Sequence, residues 1–107
     1  MSQYELVATL DDLPDGELLG VETTRGERIC LANAAGEILA VSNVCTHQEF
    51  AMAIGTLHPD CVIECAWHGA RFDLRTGAVQ LGPATDQLPT YEVIVEGQDI
   101  LVGPCRT

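Results

Sequence analysis

Apolar and polar residues alternate in several short segments of the chain, a pattern that predicts β-strands. Residues 37–42 contain four consecutive apolar residues, which is typical of a strand partly buried on both faces. In residues 5–10 the alternation predicts that Leu6, Ala8 and Leu10 share one face. The other predicted strands cover residues 18–23, 27–32, 91–96 and 99–102.

Turn residues separate these segments. Arg25-Gly26, residues 33–36 and Gly97-Gln98 each lie between two predicted strands and favour hairpins. Ten Gly and five Pro leave few windows for a helix of ten residues. The sequence therefore predicts an all-β fold, a small antiparallel sandwich or barrel.

Composition narrows the class of protein. A chain of 107 residues has the size of one domain, residues 1–107, and 47% hydrophobic residues are too many for a disordered chain. The chain contains sixteen acidic residues, five arginines and no lysine, which gives a net charge of -11. This charge argues against nucleic acid and anionic membranes as partners and favours a basic protein partner.

Localisation is inferred from what the sequence lacks. No stretch approaches the ~18 apolar residues of a membrane span, and the first residues lack the basic and apolar regions of a signal peptide. We therefore expect a cytoplasmic protein. In a reducing compartment, five cysteines are more often metal ligands or buried apolar residues than disulfides.

Chemically distinctive residues concentrate in the middle of the chain. All three His, three of the five Cys and the only Trp lie between residues 45 and 82. Two short motifs stand out there, Cys45-Thr46-His47 and Cys65-Ala66-Trp67-His68. A hairpin between them would bring two thiolates and two imidazoles together. We therefore predict a metal-binding subdomain over residues 45–82, made of two loops on a hairpin.

Two kinds of metal site suit these ligands. Two Cys and two His would complete a tetrahedral zinc site, although Cys-x-His is a tight spacing for two ligands of one ion. The spacing is easier if each loop gives its Cys to one metal and its His to another. In a 2Fe-2S cluster of the Rieske type, two thiolates bind one iron and two imidazoles bind the other.

The second motif extends into a longer pattern, Cys65-Ala66-Trp67-His68-Gly69-Ala70-Arg71-Phe72-Asp73-Leu74-Arg75-Thr76-Gly77. Together with Cys45-Thr46-His47 it resembles the Rieske-type ferredoxins, above all the ferredoxin components of bacterial aromatic-ring-hydroxylating dioxygenases. Pro83 resembles the proline of the family's third loop, and Ala66 departs from the usual proline after the second cysteine.

The resemblance implies a cofactor and a function. One 2Fe-2S cluster would be bound by Cys45, His47, Cys65 and His68. The protein would be a soluble monomeric one-electron carrier, not an enzyme. It would take electrons from an NAD(P)H-dependent flavin reductase and pass them to a terminal Rieske non-haem iron oxygenase, docking transiently near His47, His68 and Trp67. Two alternatives remain at this point: a zinc-stabilised interaction module, and the small subunit of a nitrite reductase.

The resemblance also implies a low reduction potential. High-potential Rieske proteins carry a further Cys in each loop, joined as a disulfide, where this chain has Phe50 and Trp67. They also carry a Ser and a Tyr, whose hydroxyls donate hydrogen bonds to the cluster, where this chain has Ala70 and Phe72. We therefore expect a potential near the bottom of the range of about -150 to +300 mV.

The remaining Cys and His residues are given other roles. His58 precedes a proline and is predicted to be an exposed turn residue rather than a ligand. Cys61 lies four residues before Cys65 and would share its face if both were in a strand, and it is predicted to be buried apolar filler. Cys30 is predicted to lie in the core and Cys105 at the surface.

Three more residues are predicted to shape the turns around the second motif. Gly69 and Gly77 are expected where the backbone turns sharply, and Asp73 is expected to be a turn carboxylate.

Overall fold

A computed structural model describes residues 3–44, 51–66, 69–81 and 87–106 of the chain. It contains ten strands and two short 3-10 turns, Leu10–Asp12 and Met52–Ile54. The strands are β1 (Glu5–Thr9), β2 (Leu18–Glu22), β3 (Arg28–Ala34), β4 (Glu37–Ser42), β5 (Thr56–His58), β6 (Val62–Glu64), β7 (Arg71–Asp73), β8 (Val79–Leu81), β9 (Thr90–Glu96) and β10 (Asp99–Cys105). Within the described ranges, no helix is long and apolar enough to cross a membrane.

The strands form two antiparallel sheets. The larger has six strands in the order β1-β10-β9-β4-β3-β2, and the smaller has four in the order β5-β6-β7-β8. The outer strands of the larger sheet, β1 and β2, approach one another. The backbone N–H and the hydroxyl of Thr24, just after β2, donate to the carboxylate of Glu5 in β1. The large sheet is therefore rolled toward a barrel, and the predicted all-β antiparallel class is confirmed.

The β3–β4 hairpin is the wall between the two halves of the molecule. Because side chains alternate along a strand, Ile29 and Leu31 of β3 enter one core while Cys30 and Ala32 enter another. In β4, Ala40 enters the same core as Ile29 and Leu31, whereas its neighbours Leu39 and Val41 enter the other. Both strands are therefore buried on both faces, as was predicted for residues 37–42.

Each face of the hairpin has its own core. The first core fills the rolled large sheet, and the second lies between the hairpin and the small sheet. The first contains Leu13, Ile29, Leu31, Ala40, Ile100 and Val102. The second contains Cys30, Ala32, Ala34, Leu39, Val41, Met52, Cys61, Ile63, Cys65, Ala70, Phe72, Leu74 and Leu88.

The predicted hairpin turns agree with the structure. The β3–β4 turn places Ala35 and Gly36 at φ of 56° and 93°, the paired left-handed conformation of a two-residue hairpin loop. Gly26 lies at φ of 87° between β2 and β3, and Gly97 at 61° between β9 and β10. β10 continues to Cys105, beyond the predicted end at residue 102, after a shift in its pairing with β9.

The prediction for Leu6 is wrong. The pairing of β1 with β10 shifts between Leu6 and Ala8, so the strict alternation along β1 is broken. Leu6 is 54% exposed, whereas Val7, Ala8 and Leu10 pack against the first core. Leu10 also lies outside the strand, as the first residue of a 3-10 turn.

Gly77 lies where the small sheet packs against the segment around Leu88 that follows it. It lies at φ of +78°, and a Cβ on it would stand 1.9 Å from the carbonyl oxygen of Leu88. Gly26 has a similar φ of +87° with open space around it. We expect Gly26→Ala to lower the free energy of unfolding by about 1–2 kcal/mol, the cost of the left-handed conformation alone.

Gly77→Ala should lower the free energy of unfolding by clearly more, because backbone must also move to relieve the overlap. Chemical denaturation of both variants under identical conditions measures the difference. An equal decrease in the free energy of unfolding for both variants would mean that the backbone at Leu88 moves aside at no energetic cost.

Candidate metal centre

The first predicted metal-binding loop is closed at its base by an antiparallel bridge between Val44 and Ala51. Asn43 strengthens this base. Its carbonyl accepts the N–H of Met52 at 2.7 Å, and its side-chain oxygen accepts the N–H of Ala53 at 2.8 Å. The two chain ends that flank residues 45–50 are therefore held side by side.

The second loop has a similar base. β6 ends at Glu64 and β7 begins at Arg71, and these two residues are cross-strand partners. Immediately beyond them, the N–H of Cys65 donates to the carbonyl of Ala70 at 2.7 Å. Gly69 takes a φ of +71°, which confirms the predicted sharp turn.

The bases of the two loops lie against each other. A Cβ on Gly55, in the segment leaving the first loop, would stand only 2.0 Å from the carbonyl oxygen of Glu64, at the entrance to the second. Met52 and Cys65 also belong to the same core. The fold thus brings together the supports of two loops that are far apart in sequence.

A third segment is joined to these supports after β8. Ser42, at the end of β4, donates its N–H to the carbonyl of Pro89 at 2.8 Å. Leu88 donates its N–H to the carbonyl of Gly77 at 2.8 Å and is fully buried. The chain returning from residues 82–86 is therefore anchored beside the base of the first loop and on the small sheet.

One of the four predicted ligands lies within the described residues. Cys65 is fully buried, at the base of the second loop. The other three predicted ligands and three of the residues named with them lie outside the described residues: Cys45, His47, His68, Phe50, Trp67 and Pro83. The ligand set therefore stays a prediction.

The surroundings of Cys65 suit a soft metal. Ala70 and Phe72 are fully buried in the same core as Cys65, and neither side chain carries a polar atom. A thiolate in such a place is unfavourable unless a cation neutralises it. An iron–sulfur cluster or zinc would supply that positive charge, so the site fits either metal.

One prediction about a neighbouring residue is wrong, and another is confirmed. His58 is not an exposed turn residue. It ends β5, and its side chain is 30% exposed because it packs beside Glu64. Cys61 is buried as predicted, and it lies in the turn before β6 at φ of +59°.

Other predictions near the site are confirmed. Oδ1 of Asp73 accepts the N–H groups of Arg75 at 2.7 Å and Thr76 at 3.2 Å, so it is a turn carboxylate. Gly77 turns at positive φ. Cys30 is buried, and burial raises the pKa of its thiol to about 12, so it stays neutral at physiological pH.

A group of ionisable residues at the base of the second loop was not predicted from the sequence. Oε1 of Glu64 lies 2.7 Å from Nε2 of His58 and accepts the Nε–H of Arg71 at 3.0 Å. The bond to His58, with that from Arg71, holds the pKa of the Glu64 carboxyl below its ordinary value despite partial burial. Neighbouring strands bring these residues together. The sequence shows only that Glu64 immediately precedes the loop of residues 65–70 and that Arg71 immediately follows it.

A second ion pair joins the small sheet to the large one. Nη2 of Arg75, in the turn after β7, lies 2.7 Å from a carboxylate oxygen of Glu37, at the start of β4. The hydrogen bond from Arg75 lowers the pKa of Glu37. Both side chains are about half exposed, so this pair adds little to stability.

Comparison with known proteins identifies relatives along most of the chain. The ferredoxin subunit of a 3-phenylpropionate/cinnamic acid dioxygenase from Shigella boydii serotype 4 is 43% identical over 91 residues, which are 85% of this chain and 84% of that protein. The ferredoxin of carbazole 1,9a-dioxygenase from Nocardioides aromaticivorans IC177 superposes with a TM-score of 0.90, at 36% identity over 96% of this chain and 99% of the other.

A third similar protein is a chain from the complex of reduced oxygenase and oxidized ferredoxin in carbazole 1,9a-dioxygenase. Its TM-score is 0.87, with 27% identity over 96% of this chain and 94% of the other. The Rieske [2Fe-2S] domain family matches residues 3–92. With a family match over most of its length and a relative 43% identical, the chain belongs to the Rieske [2Fe-2S] domain family.

Proposed function

We propose that this protein is a one-electron carrier, the ferredoxin component of an aromatic-ring dioxygenase system. It takes electrons from an NAD(P)H-dependent flavin reductase and passes them to a terminal oxygenase. The observation that carries this proposal is the adjacent bases of the two Cys-His loops, with Cys65 buried at one of them. The similarity to dioxygenase ferredoxin subunits supports the same function.

The proposed cofactor is one Rieske-type 2Fe-2S cluster held within residues 45–82. Cys45 and Cys65 would bind one iron, and His47 and His68 the other. When bound, the cluster accepts and releases one electron. The chain excludes water around Cys65 and fixes the bases of both loops, so little rearrangement of the protein is needed as the charge changes.

The proposed partners follow from the proteins that this chain resembles. A ferredoxin in complex with an oxygenase is among its structural relatives. Docking is proposed around the loop tips, near His47, His68 and Trp67. The reductase, the monomeric state and the cytoplasmic location belong to the same proposal.

The two alternatives have less support. A zinc-stabilised module would also fit two Cys and two His, but the similarity is to 2Fe-2S ferredoxins. A nitrite reductase small subunit remains compatible with the fold, but the relative at 43% identity is a dioxygenase ferredoxin subunit.

Substitution of the proposed ligands tests the cofactor. We expect Cys45→Ser and Cys65→Ser to lose the visible absorption and most of the iron, because thiolate is the soft ligand of the cluster. Cys61→Ser and His58→Gln, which change residues outside the ligand set, should keep both. Absorption spectra, electron paramagnetic resonance of the reduced protein and metal analysis give the answer. A colourless wild-type protein containing zinc would contradict the proposal.

Salt should slow electron transfer to and from the partners. The net charge of -11 attracts basic docking faces, and such steering is screened by ions. Stopped-flow reduction by the reductase, followed from ~0.02 M to ~0.5 M salt, spans Debye lengths from about 20 Å to about 4 Å. We expect the bimolecular rate constant to fall steadily. A rate constant that rises over this range would show that charge steering does not drive the encounter.

The reduction potential should be low for a Rieske centre and should respond to new hydroxyl groups. Ala70 and Phe72 line the core around Cys65 and cannot donate a side-chain hydrogen bond. We expect Ala70→Ser with Phe72→Tyr to raise the midpoint potential, because hydrogen bonds to cluster sulfurs favour the reduced state. Redox titration followed by electron paramagnetic resonance measures it. A wild-type potential above about +100 mV, high in the Rieske range, would contradict the argument.

A further inference from the structure

The base of the second loop is built on charged side chains. Glu64 and Arg71 are the last residue of β6 and the first of β7, directly paired across the two strands. The next contact along the hairpin is the hydrogen bond from Cys65 to Ala70. The Glu64–Arg71 pair is therefore the direct neighbour of the backbone pairing that carries Cys65.

The Glu64 carboxylate is held in one orientation. Its Oε1 receives both the Arg71 Nε–H at 3.0 Å and the contact with His58 Nε2 at 2.7 Å. The side chain of Glu64 is only 28% exposed. A carboxylate fixed by two partners and partly shielded from water acts on its surroundings more strongly than a freely solvated one.

The other oxygen of Glu64 points toward the loop. A Cβ placed on Gly69 would lie 3.5 Å from Oε2, in ordinary van der Waals contact. Gly69 directly follows the proposed ligand His68, and Glu64 directly precedes the proposed ligand Cys65. The carboxylate therefore lies beside Gly69, at the end of the loop that rejoins β7.

We propose that Glu64 is the positioning residue of the second metal-binding loop and that its negative charge, offset by Arg71, sets the reduction potential of the centre. This inference depends on the ligand set proposed above. Outer-shell groups that orient metal ligands commonly tune the metal as well, and net charge near an iron–sulfur cluster is one determinant of its potential.

The sign of the effect follows from electrostatics. A negative charge beside the centre opposes the added electron, so its removal favours reduction. Glu64→Gln, which keeps the shape and an oxygen acceptor for Arg71, should raise the midpoint potential. Arg71→Gln, which removes the offsetting positive charge, should lower it.

The chain offers a matched control pair. Glu37 and Arg75 also form a Glu–Arg contact, at 2.7 Å, but they lie beyond the far end of β7 and are more exposed. Glu37→Gln and Arg75→Gln should shift the potential by clearly less than the corresponding changes at Glu64 and Arg71, because distance and solvent screen their charges.

The experiment is a set of redox titrations at pH 7 and low salt on the purified holoprotein. The set contains the wild type, the four single variants, Arg71→Lys and the double variant Glu64→Gln/Arg71→Gln. Opposite shifts for Glu64→Gln and Arg71→Gln, a return toward the wild-type potential in the double variant, and a smaller shift for Arg71→Lys than for Arg71→Gln are expected.

The same samples also test whether Glu64 positions the second metal-binding loop. The electron paramagnetic resonance signal of the reduced protein should broaden or shift in Glu64→Gln and Arg71→Gln, and remain as in the wild type in the two control variants. Arg71→Lys keeps the charge but loses the planar guanidinium, so its signal separates geometry from charge.

Three results would overturn the inference: shifts of the same sign for Glu64→Gln and Arg71→Gln, shifts no larger than those of the control pair, or an unchanged signal in every variant. A wild-type protein without a Rieske signal would instead defeat the proposed function. The two failures are therefore distinguishable.

Discussion

The β3–β4 hairpin is apolar on both faces, so each face has to be covered by other parts of the chain. Alternate side chains of β3 pack into two different cores, Ile29 and Leu31 into one and Cys30 and Ala32 into the other. Full burial of a large aliphatic side chain contributes roughly 1.5–3 kcal/mol, so neither face can be left to solvent without a large loss. The rolled sheet covers one face, and the small sheet covers the other.

This arrangement places the candidate centre. The core beneath the small sheet contains Cys65 as well as Val41 and Leu39 of the hairpin. β4 also continues directly into the base of the first loop, where Asn43 binds Met52 and Ala53. The bases of both loops are therefore supported by the same hairpin, and apolar packing in the body of the domain holds these bases together. A centre that must gain and lose charge with little rearrangement benefits from such a rigid support.

The sequence predicted the parts of this fold that depend on local rules. Residues 37–42 were predicted as a strand buried on both faces, and the Ala35-Gly36 turn takes the left-handed conformations that its hairpin requires. The prediction failed where distant contacts override alternation. Leu6 is exposed because the pairing of β1 with β10 shifts beside it, a change that depends on a partner more than ninety residues away.

The same limit explains what was missed at the site. The Cys-His motifs were visible because metal chemistry demands particular residue types at particular spacings. Glu64, Arg71 and His58 are ordinary surface residues in sequence, and they become a group only when β5, β6 and β7 lie side by side. His58 was misjudged for the same reason, since the proline that follows it suggested a turn while its partner Glu64 was six residues away.

The arginines show how the charge of the molecule is organised. Four of the five, Arg25, Arg71, Arg75 and Arg106, form ion pairs with glutamates of the same chain. Such pairs on a surface contribute at most about 1 kcal/mol each to stability, so their larger effect is on the field around the protein. These pairs neutralise both partners locally, and the chain as a whole keeps a net charge of -11. A net negative charge of this size favours a partner with a basic docking face before any specific contact forms.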